Sequence, residues 1–257
     1  MVMPLGLSRY VDTGRFAAAV ELDWLQHADV AGLAITAVPA IHFSKRGLRD
    51  RNASLWCGFH LQAGERSVLF TGDTAYGPVF KEVAPLLPAP DLALVPIGAY
   101  DPRPLMRGSH CTPEEGVRIG REWGAKRLCG MHWGTIRLTD EPPFEPPARF
   151  KAAAMEAGYG DLAAWTLAIG ETRSIKGLEA AEGRHLFQPL PPAAPRLLGV
   201  DHVAAVNGVD VDLVAFGPVI LVGLLNAHVD PLPLLELPAV LYDAEWHREQ
   251  TAHPTVL

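Results

Sequence analysis

The chain has 257 residues, 49% of them hydrophobic and 20% charged, so it can bury a substantial core without a metal or disulfide merely to fold. Its 22 basic and 29 acidic side chains leave a net charge of -7, which excludes a nucleic-acid surface built on a broad basic face. Cys57, Cys111 and Cys129 are an odd number with no C-x-x-C spacing, so no disulfide framework is expected and a reducing compartment is the simplest setting.

The N-terminus has no basic segment followed by a long apolar core and a small-residue cleavage site, and it does not read as a signal peptide. The apolar run 214–225 is broken by Gly217, Pro218 and Gly223 and is shorter than the roughly 20 residues a bilayer crossing requires. A cytoplasmic location is therefore expected, with peripheral membrane contact left open. Of the 22 basic and 29 acidic residues, 18 and 19 fall in 1–174, leaving 4 and 10 in 175–257. The acidity lies in the tail, which also carries the proline-rich stretch 188–195, composed like a stiff connector. The expected organisation is a first unit, 1–174, and an extension, 175–257, of unassigned role.

In chain order, β-branched and aromatic runs predict strands over 21–24, 33–38, 54–61, 67–70, 92–95 and 127–131. A hairpin is expected around 62–66. Thr112-Pro-Glu-Glu115 predicts a helix start, with an N-cap Thr, Pro at the first helical position and acidic residues in the first turn; the helix should run to about residue 123. A second helix is expected over 146–157, ending before Gly158. Strands followed by crossing helices indicate an α/β layered fold. In the tail, Asn207-Gly208 predicts a hairpin turn between strand-like stretches of 200–222, and 232–241 is apolar but proline-rich.

Three segments place a metal-ligand type of residue beside turn residues at the end of an expected strand. They are Val38-Pro-Ala-Ile-His42, Phe70-Thr-Gly-Asp73 and Cys129-Gly-Met-His132. Histidine offers a neutral imidazole and aspartate a hard anionic oxygen that can bridge two cations, a set suited to hydrolytic zinc. Taken singly, His42 and His132 also suit hydrogen-bonded structural roles, and Asp73 a turn. Arg103 and Arg107 flank the segment before His110 and are candidate partners for phosphate oxygens. Lys45-Arg-Gly-Leu-Arg-Asp-Arg51 holds four basic residues and fits either anionic lipid head groups or a solvated loop.

These pieces stand in a recognisable order. Pro39-Ala-Ile-His42, Ser54-Leu-Trp56, Thr71-Gly-Asp-Thr-Ala-Tyr76, Pro96-Ile-Gly-Ala-Tyr-Asp-Pro-Arg103, His110 with Pro113-Glu-Glu115, and Met131-His-Trp-Gly-Thr135 with Leu138-Thr-Asp-Glu-Pro142 resemble the C-terminal half of the metallo-β-lactamase superfamily. Within it the resemblance is greatest to the phospholipases D that hydrolyse N-acylphosphatidylethanolamine. It implies an α/β fold, the second half of an αββα sandwich, over 1–174. It implies His42, Asp73 and His132 as zinc ligands, with Asp73 bridging two ions and catalytic, and His110 as the catalytic histidine near the scissile phosphate. The implied reaction is phosphodiester hydrolysis to phosphatidic acid and an N-acylethanolamine. A lactone or small phosphodiester is the alternative substrate within the same fold.

The superfamily's leading His-x-His-x-Asp-His motif is absent, and none of the ten histidines forms a His-x-His pair. The chain therefore looks like a family member that begins midway. A catalytic zinc ordinarily keeps three protein ligands, so of the family's two zincs at most one is expected to bind here, weakly, with activity impaired. A single sheet would also lack the partner for one apolar face, so that face is expected to be covered by the tail after residue 174 or by a second copy, or else to leave the fold marginal; a non-catalytic fragment binding through that face is the alternative role.

Overall fold

The computed structural model describes residues 1–168, 170–175, 210–216 and 219–225. Near the N-terminus β1 (Val2–Pro4) and β2 (Val20–Leu22) form a two-stranded parallel pair. The chain then lays down β3 (His27–Val30), β4 (Leu33–Pro39), β5 (Cys57–Ala63) and β6 (Arg66–Phe70), each antiparallel to its predecessor. The β5–β6 connection is the expected hairpin, turning at Gly64, whose φ is 56°. Helix α1 (Val79–Val83) leads to β7 (Leu92–Pro96), α2 (Arg103–Met106) and α3 (Pro113–Glu122) to β8 (Leu128–Met131), and α4 (Glu145–Glu156) to β9 (Ala164–Thr166). From β6 to β9 the strands are parallel, as crossover helices require. All seven strands of this sheet, β3 to β9, therefore lie in sequence order.

Strand β4 is antiparallel to β5, which is antiparallel to β6, so β4 runs the same way as β6, β7 and β8. Their C-terminal ends all reach one edge, where loops leave carrying His42, Asp73, His110 and His132.

Both faces of the central strands are closed. Ala93 and Val95 of β7 point to a cluster with Leu69, Val117, Ile119, Leu128 and Phe150, where α1, α3 and α4 pack. Leu92 and Leu94 point the other way, to Val68, Cys129, Met131 and Trp165, none more than 4% exposed. Near-continuous apolar runs such as Leu92-Ala-Leu-Val95 suit strands buried on both sides. This second face is buried within the single chain, with Ile175 at the start of the extension part of its cluster.

Differences from the predicted elements have local causes. Strand β5 begins at Cys57 rather than residue 54, because the amide of Leu55 donates to Leu5 and the carbonyl of Ser54 accepts from the Ser44 hydroxyl. Strand β2 covers Val20–Leu22 rather than 21–24, and Trp24 instead packs edge-on against Trp56. Strands β1, β3 and β9 fall outside the predicted runs; β3, His27-Ala-Asp-Val30, is a largely exposed edge strand with no apolar alternation. After β9, β10 (Thr172–Ser174) pairs with β11 (Asp210–Phe216), which pairs with β12 (Val219–Leu225). Asn207-Gly208, the stretch 188–195 and the run 232–241 lie outside the described residues. No described helix is long and apolar enough to cross a membrane.

Candidate active site

Three of the four loops are joined at Thr74. The Ile41 amide donates to the Thr74 hydroxyl (2.8 Å), and the Ala75 amide returns a bond to the Ile41 carbonyl (2.8 Å). The Cys111 thiol donates to the Thr74 carbonyl (3.0 Å). His42, Asp73 and His110 are each next to one of these anchored residues. Gly72, with φ 65°, makes the turn that delivers Asp73.

The fourth loop is set by close backbone approach. A Cβ on Gly98 would strike the carbonyl oxygen of His132, so only glycine lets the post-β7 loop lie against the post-β8 loop. His132 itself has φ 61°, in the left-handed region, at a cost on the order of 1–3 kcal/mol that the surrounding contacts must offset. Glu141 completes the clamp: its carboxylate accepts from the amides of Ala99 (2.6 Å) and Asp101 (3.1 Å) and from the Thr139 hydroxyl (2.8 Å).

His110 is fixed from the helix that follows it. Thr112 and Glu115 form a reciprocal capping box at the start of α3, as the sequence predicts. Arg103 donates to both oxygens of Glu115 (2.5 and 2.6 Å) and to the His110 carbonyl (2.8 Å). The expectation of Arg103 as a phosphate ligand is therefore corrected. Its guanidinium fork is spent on holding His110, while Arg107 is exposed.

The result is a compact group. The ring centroid of His110 is 5.2 Å from that of His42 and 5.3 Å from that of His132, and His132 Nε2 lies 3.3 Å from Asp73 Oδ2. The Asp73 side chain is 43% exposed and that of His132 15%, so Asp73 keeps an open side even though protein surrounds most of it. His42 stacks on Phe43 at 4.8 Å.

Electrostatics separate the roles. Enclosure by protein disfavours the Asp73 carboxylate, but His132, His42 and His110 outweigh that and bring its pKa down to about 2. Burial opposes charge on His132, yet the adjacent Asp73 carboxylate prevails and raises its pKa. For His110, burial and then the His132 charge lower the pKa to about 4, leaving the ring neutral near pH 7.

The donors fit a metal ion in kind. His42 Nδ1 lies 2.9 Å from the Phe43 carbonyl, which makes Nδ1 the protonated nitrogen and leaves Nε2 with its lone pair. That Nε2, His110 Nδ1 and His132 Nδ1 are buried with no hydrogen-bond partner, as metal- or substrate-facing atoms are. They fall short in number: among the described residues no three His, Cys, Asp or Glu side chains stand as a ready ligand group. Next to His132 is a pocket of about 220 Å³, bordered by Trp133, Leu138, Glu141 and Pro146.

Thr74, Gly98 and Glu141 were not singled out from sequence. All three sit inside quoted motifs, but a turn threonine, a loop glycine or a loop glutamate carries no pattern that announces its distant contact.

A mixed sheet with helices between its later strands, and His and Asp side chains gathered at the strand ends, is the metallo-β-lactamase type of α/β fold. The chain belongs to the β-lactamase superfamily: the model of the β-lactamase superfamily domain matches residues 4–133, half of its length. It is 36% identical over 160 residues to N-acyl-phosphatidylethanolamine-hydrolyzing phospholipase D 1 of Caenorhabditis elegans, covering 58% of this chain and 45% of that protein. It is 32% identical over 167 residues to the mitochondrial phospholipase D of the same description from Saccharomyces cerevisiae, covering 62% and 36%. The chain thus spans less than half the length of these relatives. Igni18, a metallo hydrolase of the archaeon Ignicoccus hospitalis, shares the fold at a TM-score of 0.50 and 20% identity, over 66% of each chain.

Proposed function

We propose that this edge of the sheet is part of a zinc-dependent phosphodiesterase site that acts on N-acylated phosphatidylethanolamine, releasing an N-acylethanolamine and phosphatidic acid. The observation that carries the reading is the gathering of His42 and His132 about His110, with Asp73 against His132, from four separate loops. The two phospholipase D relatives support the substrate class.

His42, Asp73 and His132 would hold a divalent cation, a two-histidine, one-carboxylate set with open positions. Such an ion supplies Lewis-acid polarisation of a phosphoryl oxygen. The neighbouring side chains do the rest. Asp73 stays ionised at any physiological pH and keeps the His132 ring oriented. His110, neutral, offers a hydrogen bond to a phosphoryl oxygen without adding charge, and an anionic phosphodiester beside it raises its proton affinity so that it can receive a proton. The pocket beside His132 takes only a small part of the substrate: a cavity of about 150 Å³ holds one benzene, so 220 Å³ does not enclose an acyl chain. The lipid tails lie outside it.

The shortfall in ligands favours a slow enzyme and, as a second reading, a chain that binds without turnover. The test is hydrolysis by the full chain, with and without added zinc, of N-acylphosphatidylethanolamine in micelles and of a water-soluble aryl phosphodiester. Zinc-dependent release of N-acylethanolamine, abolished in His110→Gln, is the expected result. Turnover of the aryl ester alone points to a small-phosphodiester hydrolase, and turnover of neither contradicts the hydrolase reading.

A further inference from the structure

The loops that bring the three histidines together also carry the two most exposed leucines described, with exposed arginines beside them. Leu48, six residues after His42, is 90% exposed, and Leu105, five before His110, is 78% exposed. After His132, Leu138 is 47% exposed. Each stands beside exposed arginine: Arg49 next to Leu48, Arg107 two residues after Leu105, and Arg137 next to Leu138.

The Leu48 loop is a built feature. The Asp50 carboxylate accepts from the amides of Arg46 (3.1 Å) and Gly47 (2.7 Å), and Asn52 and Ser44 close the base with reciprocal bonds. These inward bonds fix the loop with its one apolar side chain in solvent. Arg51 over the Phe43 ring and Phe43 against His42 connect it to the site. The opposite edge of the sheet differs. Leu86 and Leu162 are also exposed there, at 63% and 64%, but Ala-Pro-Leu-Leu-Pro and Gly-Asp-Leu-Ala place no arginine beside them.

We propose that the loops around Leu48, Leu105 and Leu138 form an interfacial rim that docks this edge on an anionic phospholipid bilayer. The arginines would meet the head groups while the leucines enter the acyl boundary. The rim is basic although the chain as a whole carries -7, so charge complementarity is local to the site edge. The inference deepens the phospholipid reading, since a pocket too small for acyl chains is best served where the membrane itself keeps the tails.

The test is co-sedimentation of the full chain with phosphatidylcholine vesicles, with and without phosphatidylglycerol. Wild type should bind the anionic vesicles, weakly or not at all the neutral ones, and lose binding in high salt. Arg49→Gln with Arg107→Gln should weaken partitioning about five-fold per arginine, and Leu48→Ser with Leu105→Ser should weaken it further. The control pair Leu86→Ser and Arg121→Gln, at the far edge, should bind as wild type. Equal binding to both vesicle types, no binding of wild type, or equal loss in the control pair overturns the proposal; thermal melts establish that each variant is folded. Hydrolysis of the soluble phosphodiester, read on the same samples, reports the catalytic reading separately, because it needs no membrane.

Discussion

The backbone amide of Ile41 donates to the side-chain oxygen of Thr74 at 2.8 Å, and through it the residue before His42 is tied to the residue after Asp73. The threonine hydroxyl passes its own proton to the Ala75 carbonyl at 2.7 Å, and Thr74 is fully buried. Thr74→Val keeps the shape and deletes both bonds, stranding the half-buried Ile41 N–H. The variant should lose about 1–3 kcal/mol in urea unfolding, and the His42 ring signals should shift by NMR. Wild-type stability in this variant would mean that the loops are held together elsewhere.

Gly98→Ala tests the second anchor. The new methyl meets the His132 carbonyl, which is backbone and cannot swing aside. Overpacking of this kind costs typically about 1–3 kcal/mol, and the displaced loop would carry His132 away from Asp73. Circular dichroism melting should show the loss, with the His132 imidazole titrating nearer its ordinary range. An unchanged melting temperature and titration would contradict the contact.

The coupled pKa shifts predict a stability optimum close to neutrality. His110 is depressed from 6.5 to about 4 in the fold, chiefly by burial, so its contribution is complete above 6.5 and lost as pH falls toward 4. Asp73 adds a later acid loss, between 3.8 and about 2, because the histidine charges around it outweigh the penalty of enclosure. His132 is raised: burial works against it but Asp73 prevails, so its contribution is complete below 6.5 and lost as pH rises through its folded value. Urea midpoints across pH should therefore peak near 6.5. His110→Gln should flatten the limb between 6.5 and 4, and His132→Gln the alkaline limb; an acid limb unchanged in His110→Gln contradicts the assignment.

Much of this architecture is legible in the chain because burial on both faces writes apolar runs into β6, β7 and β8, and because Thr112 to Glu115 spells a helix start. Three of the four site residues are legible for a different reason: His42, Asp73 and His132 each lie in a short motif at a strand end, whereas His110, just before α3, is picked out only by the family resemblance. What escapes is whatever depends on distant partners. Strand β3 is a polar edge that exists by pairing with β4, and β9 by lying beside β8. Arg103 reads as a phosphate ligand until Glu115, twelve residues on, is seen to occupy it. The closed second face is likewise invisible locally, since one strand's alternation does not say what packs on it.

The most direct test of the central claim, that His42, Asp73 and His132 converge as a cation site, is calorimetric titration of the full chain with zinc. One weakly bound ion per chain is expected, with proton release on binding, reduced in His42→Ala and abolished in Asp73→Asn and His132→Ala. Absence of heat in the wild type, or the same heat in all three variants, would contradict it.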